Sequence, residues 1–287
     1  MSSPPIQWYP GHIAKAEKSL LEQLKRVDVV IEVRDARIPM ATHHPQVDDW
    51  LGGKARVLVL NRVDMISPTV RQAWQTWFKT QGETVYFTNA KQGNGVQAVM
   101  RAAQAAGQSM NERRRQRGMK PRPVRAVVIG FPNVGKSALI NRLLKRKIVT
   151  SARRPGVTRQ LRWVRISDEI ELLDAPGIIP LQLEDQSAAL KLAICEDIGE
   201  AAYDNQRVAS AFVDLLVSLE QQTLGQTNSD RWKSRYATDI QEMTGESYLV
   251  AVAEQQHQGD VERTARQLLN DFRRGDLGKL SLEFPPH

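Results

Sequence analysis

The sequence predicts an α/β fold with a mainly parallel, doubly wound sheet, and an all-α bundle at its C-terminal end. Short apolar runs alternate with amphipathic helical segments between residues 13 and 174, which is typical of parallel strands joined by helices. From about residue 183 onward only the helical period remains. We therefore expect two domains, at residues 1–182 and 183–287.

The apolar patterning places the individual elements. The first helix, over residues 13–26, repeats apolar side chains at helical spacing, and later helices cover the stretch around Trp74, residues 96–106 and residues 139–144. In the C-terminal part, residues 208–219 and 261–272 each place their apolar side chains on one helical face. The predicted strands cover residues 28–33, 56–60, 84–88, 126–129, 161–166 and 170–173.

Composition narrows the class of protein. The 287 residues suffice for a sizeable core, and 40 Lys and Arg against 32 Asp and Glu give a net charge of +8, which favours a polyanionic partner. The lone cysteine, Cys195, cannot form an intrachain disulfide, which suits a reducing compartment. No apolar stretch is long enough to cross a membrane, and the N-terminus does not resemble a signal peptide. We expect a cytoplasmic monomer.

Residues 130–137 match the phosphate-loop pattern G-x-x-x-x-G-K-S between a predicted strand and a predicted helix. Gly130 and Gly135 let the backbone bend around an anion, Lys136 reaches the β- and γ-phosphates, and the Ser137 hydroxyl can coordinate Mg²⁺. The competing interpretation is a chance match, which the flanking strand and helix disfavour. The predicted phosphate-binding residues are Asn133, Val134, Gly135, Lys136, Ser137 and Ala138.

Asn61-Arg62-Val63-Asp64 directly follows a predicted strand and can recognise guanine. The Asp64 carboxylate can accept hydrogen bonds from N1–H and the 2-amino group, donors that adenine lacks, while the Asn61 amide contacts the base edge. Asn89-Ala90-Lys91 follows the next strand, and a backbone N–H there can meet guanine O6. Each segment alone could be an ordinary turn or loop, but their position beside a phosphate loop favours guanine binding.

Two further segments suit the γ-phosphate and its Mg²⁺. Thr158 lies in a loop rich in turn residues and can offer its hydroxyl to the metal. Asp174-Ala-Pro-Gly177 follows the last predicted strand, so Asp174 can orient the Mg²⁺ shell and the Gly177 N–H can sense the γ-phosphate.

The guanine segments precede the phosphate loop, whereas in most GTPases the phosphate loop comes first. The sequence therefore predicts a circularly permuted P-loop GTPase, whose sheet is unchanged while the termini move to surface loops. The γ-phosphate-sensing loop then leads almost directly into the C-terminal bundle. We hypothesise that nucleotide state repositions this helical, RNA-binding domain.

Basic residues concentrate in two places. Residues 107–125 combine arginines with prolines and are predicted to be a linker, either a solvated tether or an RNA-contacting arm. The last helix is predicted to carry a basic face opposite its apolar stripe, either solvated or bound to nucleic acid. That face comprises Arg263, Arg266, Arg273 and Arg274.

The segment at residues 8–16, Trp-Tyr-Pro-Gly-His-Ile-Ala-Lys-Ala, the Asp-Ala-Arg-Ile-Pro loop at 35–39, the permuted motif order and the all-α tail resemble the bacterial ribosome biogenesis GTPase A family. The resemblance spans nearly the whole chain. It implies a cytoplasmic GTPase that uses GTP/GDP and Mg²⁺, binds the immature large ribosomal subunit and its ribosomal RNA, and hydrolyses GTP under stimulation by the particle.

The resemblance also implies site roles. Ile178 and Ile179 stand where many GTPases have a water-orienting Gln, and the family's proposed substitute corresponds to His12, whose imidazole can position water at neutral pH. Without the resemblance, His12 would be a solvated or capping residue. Asn133 matches an asparagine that ligates K⁺ in potassium-activated relatives. Arg62 replaces the usual Lys, and Asn89 stands where Ser is common.

Two other functions fit the same sequence. The chain could be a GTPase that acts on another RNA, such as transfer RNA or the small ribosomal subunit. It could also be an RNA-binding scaffold whose nucleotide site only gates affinity, in which case His12→Ala would leave hydrolysis and particle release unchanged.

Overall fold

A computed structural model describes residue 6 and residues 13–144, 162–174, 185–199, 203–223, 229–240 and 243–286. Its sheet has six strands in the order β3-β2-β1-β4-β6-β5, all parallel except β5, which runs antiparallel to β6. The predicted strands all form, with ends shifted by a few residues. They are β1 (Val29–Asp35), β2 (Ala55–Asn61), β3 (Val85–Thr88), β4 (Val124–Ile129), β5 (Arg162–Arg165) and β6 (Ile170–Asp174).

Helices cover both faces of this sheet, as a doubly wound fold requires. Leu20 of α1 packs with Val30 of β1 on one face, where Trp74 of α3 packs against β2. On the other face, Val99 of α4 and Leu139 of α5 pack against alternate residues of β1 and β4. The helices of this part are α1 (Ile13–Leu24), α2 (Val47–Leu51), α3 (Pro68–Thr80), α4 (Val96–Gln116) and α5 (Lys136–Leu143), with a 3₁₀ turn at Val63–Met65.

The C-terminal part is helical, as the sequence predicts, and its helices pack around buried aromatic rings. Phe212, Trp232 and Phe272 lie near its centre, with ring centroids of Phe212 and Phe272 4.8 Å apart. This cluster is continuous with the core on the α4–α5 face of the sheet. The helices are α6 (Gln186–Cys195), α7 (Asn205–Thr223), α8 (Ser229–Tyr236), α9 (Gly245–His257) and α10 (Val261–Arg274). No helix in the described ranges is long and apolar enough to cross a membrane.

The order of the strands creates a topological switch point. The chain runs from β1 outward through β2 and β3, then returns to β4 on the opposite side of β1 and continues to β6. The loops after β1 and β4 therefore diverge at the carboxyl edge of the sheet, where ligands bind in open α/β folds. The predicted phosphate loop is the loop after β4.

The predicted linker at 107–125 is wrong for its first half, because α4 continues to Gln116. Gly107 lies in the helix against β4, where an added Cβ would come within 2.0 Å of the Val124 side chain. Arg and Gln are good helix formers, and basic residues at a helix C-terminus complement its dipole. The basic side chains are therefore compatible with a longer helix, because they stay on its exposed side and do not need to be buried.

The predicted basic face of α10 also needs a correction. Arg263, Arg266 and Arg274 are exposed, but Arg273 is buried. The Arg273 guanidinium donates to the carbonyl oxygens of Ile194 and Ala193 at 3.0 and 2.9 Å, at the end of α6. Arg273 therefore joins two helices and is not available to an external partner.

Candidate functional site

The predicted nucleotide-binding residues meet at the carboxyl edge of the sheet. β1 ends at Asp35, β2 at Asn61 and β3 at Thr88, and Asp35 lies opposite Asn61 in the parallel register. β4 ends at Ile129, directly before the loop at 130–135. Four strand ends thus bring the guanine segments and the phosphate loop to one place, although they are distant along the chain.

The loop after β4 has the backbone of an anion cradle. Gly130 has φ 145°, and an added Cβ would come within 2.2 Å of the Val33 carbonyl oxygen. Gly135 has φ 103°, and an added Cβ would come within 2.1 Å of the Asn61 side-chain nitrogen. Both positions therefore require glycine. The loop leads into the N-terminus of α5, where the helix dipole favours an anion.

Lys136 is folded back onto its own loop. Its ammonium group donates to the carbonyl oxygens of Gly130 at 3.1 Å and Phe131 at 2.7 Å, and the side chain is buried. These are backbone acceptors, which a phosphate can replace with stronger, charge-assisted bonds. Ser137 and Ala138 follow in the first turn of α5 and are partly exposed.

Asn61 joins three segments of the site. Its amide nitrogen donates to the Val134 carbonyl oxygen at 2.8 Å, and its amide oxygen accepts from Thr88 Oγ1 at 3.0 Å and the Ala90 N–H at 2.9 Å. The predicted contact with a base edge therefore concerns only the second amide hydrogen, because the oxygen already accepts two hydrogen bonds. Asn61 serves chiefly to hold the two loops together.

Arg62 forms a second link to the phosphate loop. Its Nη2 donates to the Asn133 carbonyl oxygen at 2.5 Å, and its Nη1 lies 3.4 Å from Asp35 Oδ2. The planar guanidinium reaches both partners at once. Val63 begins the following 3₁₀ turn, and Asp64 is exposed within it, open to a base at the edge of the sheet.

Asn89 shapes the third segment. Its side-chain oxygen accepts the Gln92 N–H at 3.0 Å, and its carbonyl oxygen accepts the Gly93 N–H at 2.7 Å, which closes a tight turn. Arg142 of α5 donates to the carbonyl oxygens of Ala90 and Lys91 from below. Asn89 therefore closes the turn in this segment, and Arg142 of α5 holds the loop in place.

A buried charge cluster underlies these loops. Asp35 accepts three hydrogen bonds from Arg37, and both side chains are fully buried. Burial alone would raise the pKa of Asp35, but the Arg37 and Arg62 guanidinium groups outweigh it and hold that pKa below its usual value. The polar segment at 34–39, which the sequence predicts to be a loop, is thus largely buried because its charges pair with each other.

Asp197, just after α6, belongs to the same cluster. It is fully buried, and neither of its carboxylate oxygens has a hydrogen-bond partner among the described residues. Burial, followed by the nearby Asp35 carboxylate, raises the pKa of Asp197 to about 8 against the opposing effect of the cations around it. Asp197 is therefore largely protonated at neutral pH.

The phosphate loop is bonded directly to the helical part of the chain. Asn133 Nδ2 donates to the Glu196 carbonyl oxygen at 2.6 Å, and Glu196 ends α6 in a left-handed conformation with φ 64°. Arg37 Nη2 donates to the neighbouring Cys195 carbonyl oxygen at 3.3 Å, and its guanidinium lies 5.1 Å from the ring centroid of Phe272 in α10. The site is therefore closed on one side by α6 and α10.

Several predicted site residues lie outside the described ranges. These are His12, Thr158 and Gly177. Asp174 is the last residue of β6, and its backbone pairs with Val128, one residue before the end of β4. This register puts Asp174 at the carboxyl edge, next to the start of the phosphate loop.

Arg37, Glu196 and Asp197 are parts of this site that the sequence does not predict. Asp35 and Arg37 follow a buried strand at a spacing of two residues, as Asn61 follows β2, and that spacing was an available signal. Nothing local distinguishes Glu196 and Asp197, because only the packing of α6 brings them to the loop.

The structure resembles the GDP-bound structure of YlqF from Thermotoga maritima, with a TM-score of 0.65 and 23% identity, over 93% of this chain and 99% of that one. A family described as "50S ribosome-binding GTPase" matches residues 125–252. The similarity in structure establishes the P-loop GTPase fold.

Relatives match over nearly the whole length. Ribosome biogenesis GTPase A of Bacillus pumilus is 36% identical over 98% of this chain and 99% of its own, and that of Thermotoga maritima is 26% identical over 98% and 95%. The mouse mitochondrial ribosome-associated GTPase 1 is 31% identical over 96% and 90%. The chain therefore belongs to the ribosome biogenesis GTPase A family, and it is a guanine-nucleotide-binding enzyme that hydrolyses GTP in ribosome biogenesis.

Proposed function

We propose that this GTPase assists assembly of the large ribosomal subunit in the cytoplasm and that the particle stimulates its hydrolysis of GTP. The observation that carries the proposal is the direct bond between the phosphate loop and the helical part, from Asn133 to Glu196. Through it, a particle bound to the helices can act on the nucleotide site. The net charge of +8 suits ribosomal RNA as the polyanion contacted.

We infer that GTP lies along the carboxyl edge of the sheet. Residues 133–138 surround its phosphates, with Lys136 exchanging its backbone acceptors for phosphate oxygens. The Asp64 carboxylate accepts hydrogen bonds from the guanine base, and Asn61, Arg62 and Val63 position Asp64. The segment Asn89-Ala90-Lys91 lies beside O6, where the Lys91 N–H can donate, since the N–H groups of Asn89 and Ala90 already donate to Asn94 and Asn61. Gly177 contacts the γ-phosphate.

Mg²⁺ is the usual metal of this enzyme class, and the proposed ligand residues offer atoms of the kind that it binds. Ser137, Thr158 and Asp174 supply oxygen ligands, which are the kind Mg²⁺ prefers. The register of β4 and β6 brings Asp174 to the same edge as the phosphate loop, which leads into the first turn of α5 with Ser137. When bound, Mg²⁺ neutralises charge on the β- and γ-phosphates.

We further propose that the Asn133 amide oxygen binds K⁺ while its nitrogen keeps the bond to Glu196. Such an ion would add positive charge near the transferring phosphoryl group, which stabilises the transition state electrostatically. His12 is proposed to orient the attacking water, since Ile178 and Ile179 cannot hydrogen-bond it.

Hydrolysis with purified subunits tests the assignment. We expect strong stimulation of GTP hydrolysis by large but not small subunits in K⁺ buffer, and loss of activity in Na⁺ buffer. His12→Ala should abolish the stimulated rate while leaving GDP affinity unchanged. Equal stimulation by both subunits, or none, would contradict the large-subunit assignment, and an unchanged rate in His12→Ala would contradict the role of His12.

A further inference from the structure

The end of α4 carries a dense group of exposed cations. Between residues 107 and 125 the chain has seven basic residues and a single acidic one, Glu112. Arg113, Arg115, Arg117 and Lys120 are exposed. We name these four residues the α4 basic end. Helical spacing puts Arg113 and Arg117 one turn apart on one flank of α4 and Arg115 on the other flank.

Internal bonds hold the α4 basic end in place. The Asn111 side chain donates to the Arg122 carbonyl oxygen at 3.0 Å and accepts the Arg122 N–H at 3.1 Å, while Arg114 Nε donates to the Lys120 carbonyl oxygen at 3.1 Å. The Arg122 guanidinium forms a two-pronged ion pair with Asp28, with N–O distances of 2.8 and 2.9 Å. The loop after α4 is therefore folded onto the helix, which lowers the entropy cost of binding.

The α4 basic end lies far from the nucleotide. α4 begins at Val96, beside the loop at 89–95, and its 21 residues reach the opposite edge of the sheet, where β4 starts. A helix of this length spans about 30 Å. A role in nucleotide binding is thereby excluded for these side chains.

We propose that the α4 basic end is a binding site for the phosphate backbone of double-helical RNA, separate from the helical C-terminal domain. The identity of the RNA as ribosomal RNA rests on the proposed function, whereas the binding of a duplex does not. Three of its four cations are arginines, whose planar forks match phosphate oxygens. Cations on both flanks of a helix about 10 Å thick can contact two phosphate backbones together.

The proposed partner is double-helical RNA, because the α4 basic end can contact a duplex through its shape and its phosphates. Single-stranded RNA is usually held by aromatic side chains that stack on its bases, and residues 107–125 contain no aromatic residue. Double-helical RNA is recognised through its backbone and shape, which requires only positioned cations and polar groups.

The test compares two triple variants of equal charge. In one, Arg113, Arg115 and Arg117 become Gln; in the control, three exposed cations on other helices or loops, Lys18, Lys79 and Lys279, become Gln. Binding to an RNA duplex of about 20 base pairs is followed by fluorescence anisotropy. The first variant should bind at least about tenfold more weakly at moderate salt, with a salt slope lower by about three, and the control less than about twofold more weakly.

Glu112→Gln provides a change in the opposite direction. Removing the one acidic side chain of the segment should tighten duplex binding by about twofold to threefold without affecting the fold, since Glu112 is exposed. Equal duplex affinities of the arginine variant and its control would overturn the proposal. So would a loss confined to anionic phosphatidylserine vesicles, which would identify a membrane surface instead.

The same variants separate this inference from the proposed function. Hydrolysis without RNA should be unchanged in both triple variants, because neither alters the nucleotide site. If the duplex affinity depends on the arginines but neither ribosomal subunit stimulates hydrolysis, the RNA site stands and the large-subunit assignment fails. If subunits stimulate hydrolysis while duplex affinity is unaffected by the arginines, the RNA site fails alone.

Discussion

The Arg62 guanidinium contacts β1 and the phosphate loop at the same time, whereas a lysine at this position could contact only one of them. Its two terminal nitrogens reach the Asn133 carbonyl oxygen at 2.5 Å and Asp35 Oδ2 at 3.4 Å. An ammonium group is a single point charge and cannot keep both contacts in this geometry. Arg62, which stands in place of the usual Lys, therefore links β1 to the phosphate loop.

Arg62→Lys should weaken this link. We expect the free energy of unfolding to fall by about 0.5–1.5 kcal/mol and GDP affinity to fall by a few fold, since one hydrogen bond is lost beside the phosphates. Urea unfolding and titration with a fluorescent GDP analogue measure the two effects. Arg101→Lys, at an exposed position of α4, is the control and should change neither; an unaltered Arg62→Lys protein would refute the link.

Asp197 makes the stability of the protein depend on pH. Burial and the Asp35 carboxylate raise the pKa of Asp197 to about 8, whereas in the unfolded chain the group ionises near its ordinary value of 3.8. Between those values the folded state holds a proton that the unfolded state has released. Stability attributable to Asp197 therefore falls as pH rises through this window and levels off above the folded pKa.

Asp197→Asn should remove that dependence. From pH 6 to pH 8 we expect the wild-type free energy of unfolding to fall by about 2 kcal/mol more than that of the variant. Urea unfolding at both values measures the difference, with Asp260→Asn as a control at an exposed helix cap. Parallel pH profiles for wild type and Asp197→Asn would contradict the buried, protonated state.

At the scale of elements, the tail after α10 fastens the helical part to the loop after β1. Glu283 is buried, and its Oε2 accepts the Met40 N–H at 2.7 Å while its Oε1 accepts the Ala41 N–H at 3.2 Å and lies 3.1 Å from Lys191 Nζ of α6. Leu282 N–H donates to the Arg37 carbonyl oxygen at 3.0 Å. The tail thus contacts the loop after β1, including Arg37 of the buried charge cluster, and α6 together.

Glu283→Ala should loosen this attachment. It leaves two backbone N–H groups and the Lys191 ammonium without their acceptor, so we expect a loss of about 2–4 kcal/mol in the free energy of unfolding. Asp168→Ala is the control, because its ion pair with Arg165 is between exposed side chains and contributes little to stability. Similar losses in thermal or urea unfolding for the two variants would rule out an anchoring role for Glu283.

At the scale of the whole molecule, the nucleotide site and the helices form one connected body. The core on the α4–α5 face of the sheet runs without a break into the aromatic centre of the helical part. The phosphate loop is bonded to Glu196, and Arg37 contacts both Cys195 and Phe272. A change at the phosphates can therefore reach the helices through direct contacts.

Distance measurements test whether nucleotide state moves the helices. Spin labels at Asp49 of α2 and Glu254 of α9, both exposed, should report different distances with GDP and with a non-hydrolysable GTP analogue. The native Cys195 will not compete for label, because it is buried and burial raises the pKa of its thiol. Identical distance distributions in the two states would end the repositioning hypothesis.

Local pattern was sufficient for some parts of this molecule and failed at others for physical reasons. Buried strands such as β2 and β4 are apolar on both sides, so they stand out from their surroundings. The dense charge of residues 107–125 predicts a linker, yet residues 107–116 continue α4, because exposed charge is compatible with a helix that buries only one side. The helical pattern puts Arg273 on a basic face that is either solvated or bound to nucleic acid, yet its guanidinium donates to carbonyl oxygens at the end of α6.

The sequence by itself determined the fold class, the phosphate-loop motif and the permuted order of the motifs, and it predicted the guanine segments, because each depends on residue types at short, fixed spacings. Only the tertiary structure decided that Asn61 ties the loops together, that Arg37 and Asp35 are internal, and that Glu196 and Asp197 belong to the site. These roles depend on which strand ends and helix ends meet in space. Such meetings arise from packing between segments far apart in the chain, and no local spacing encodes them.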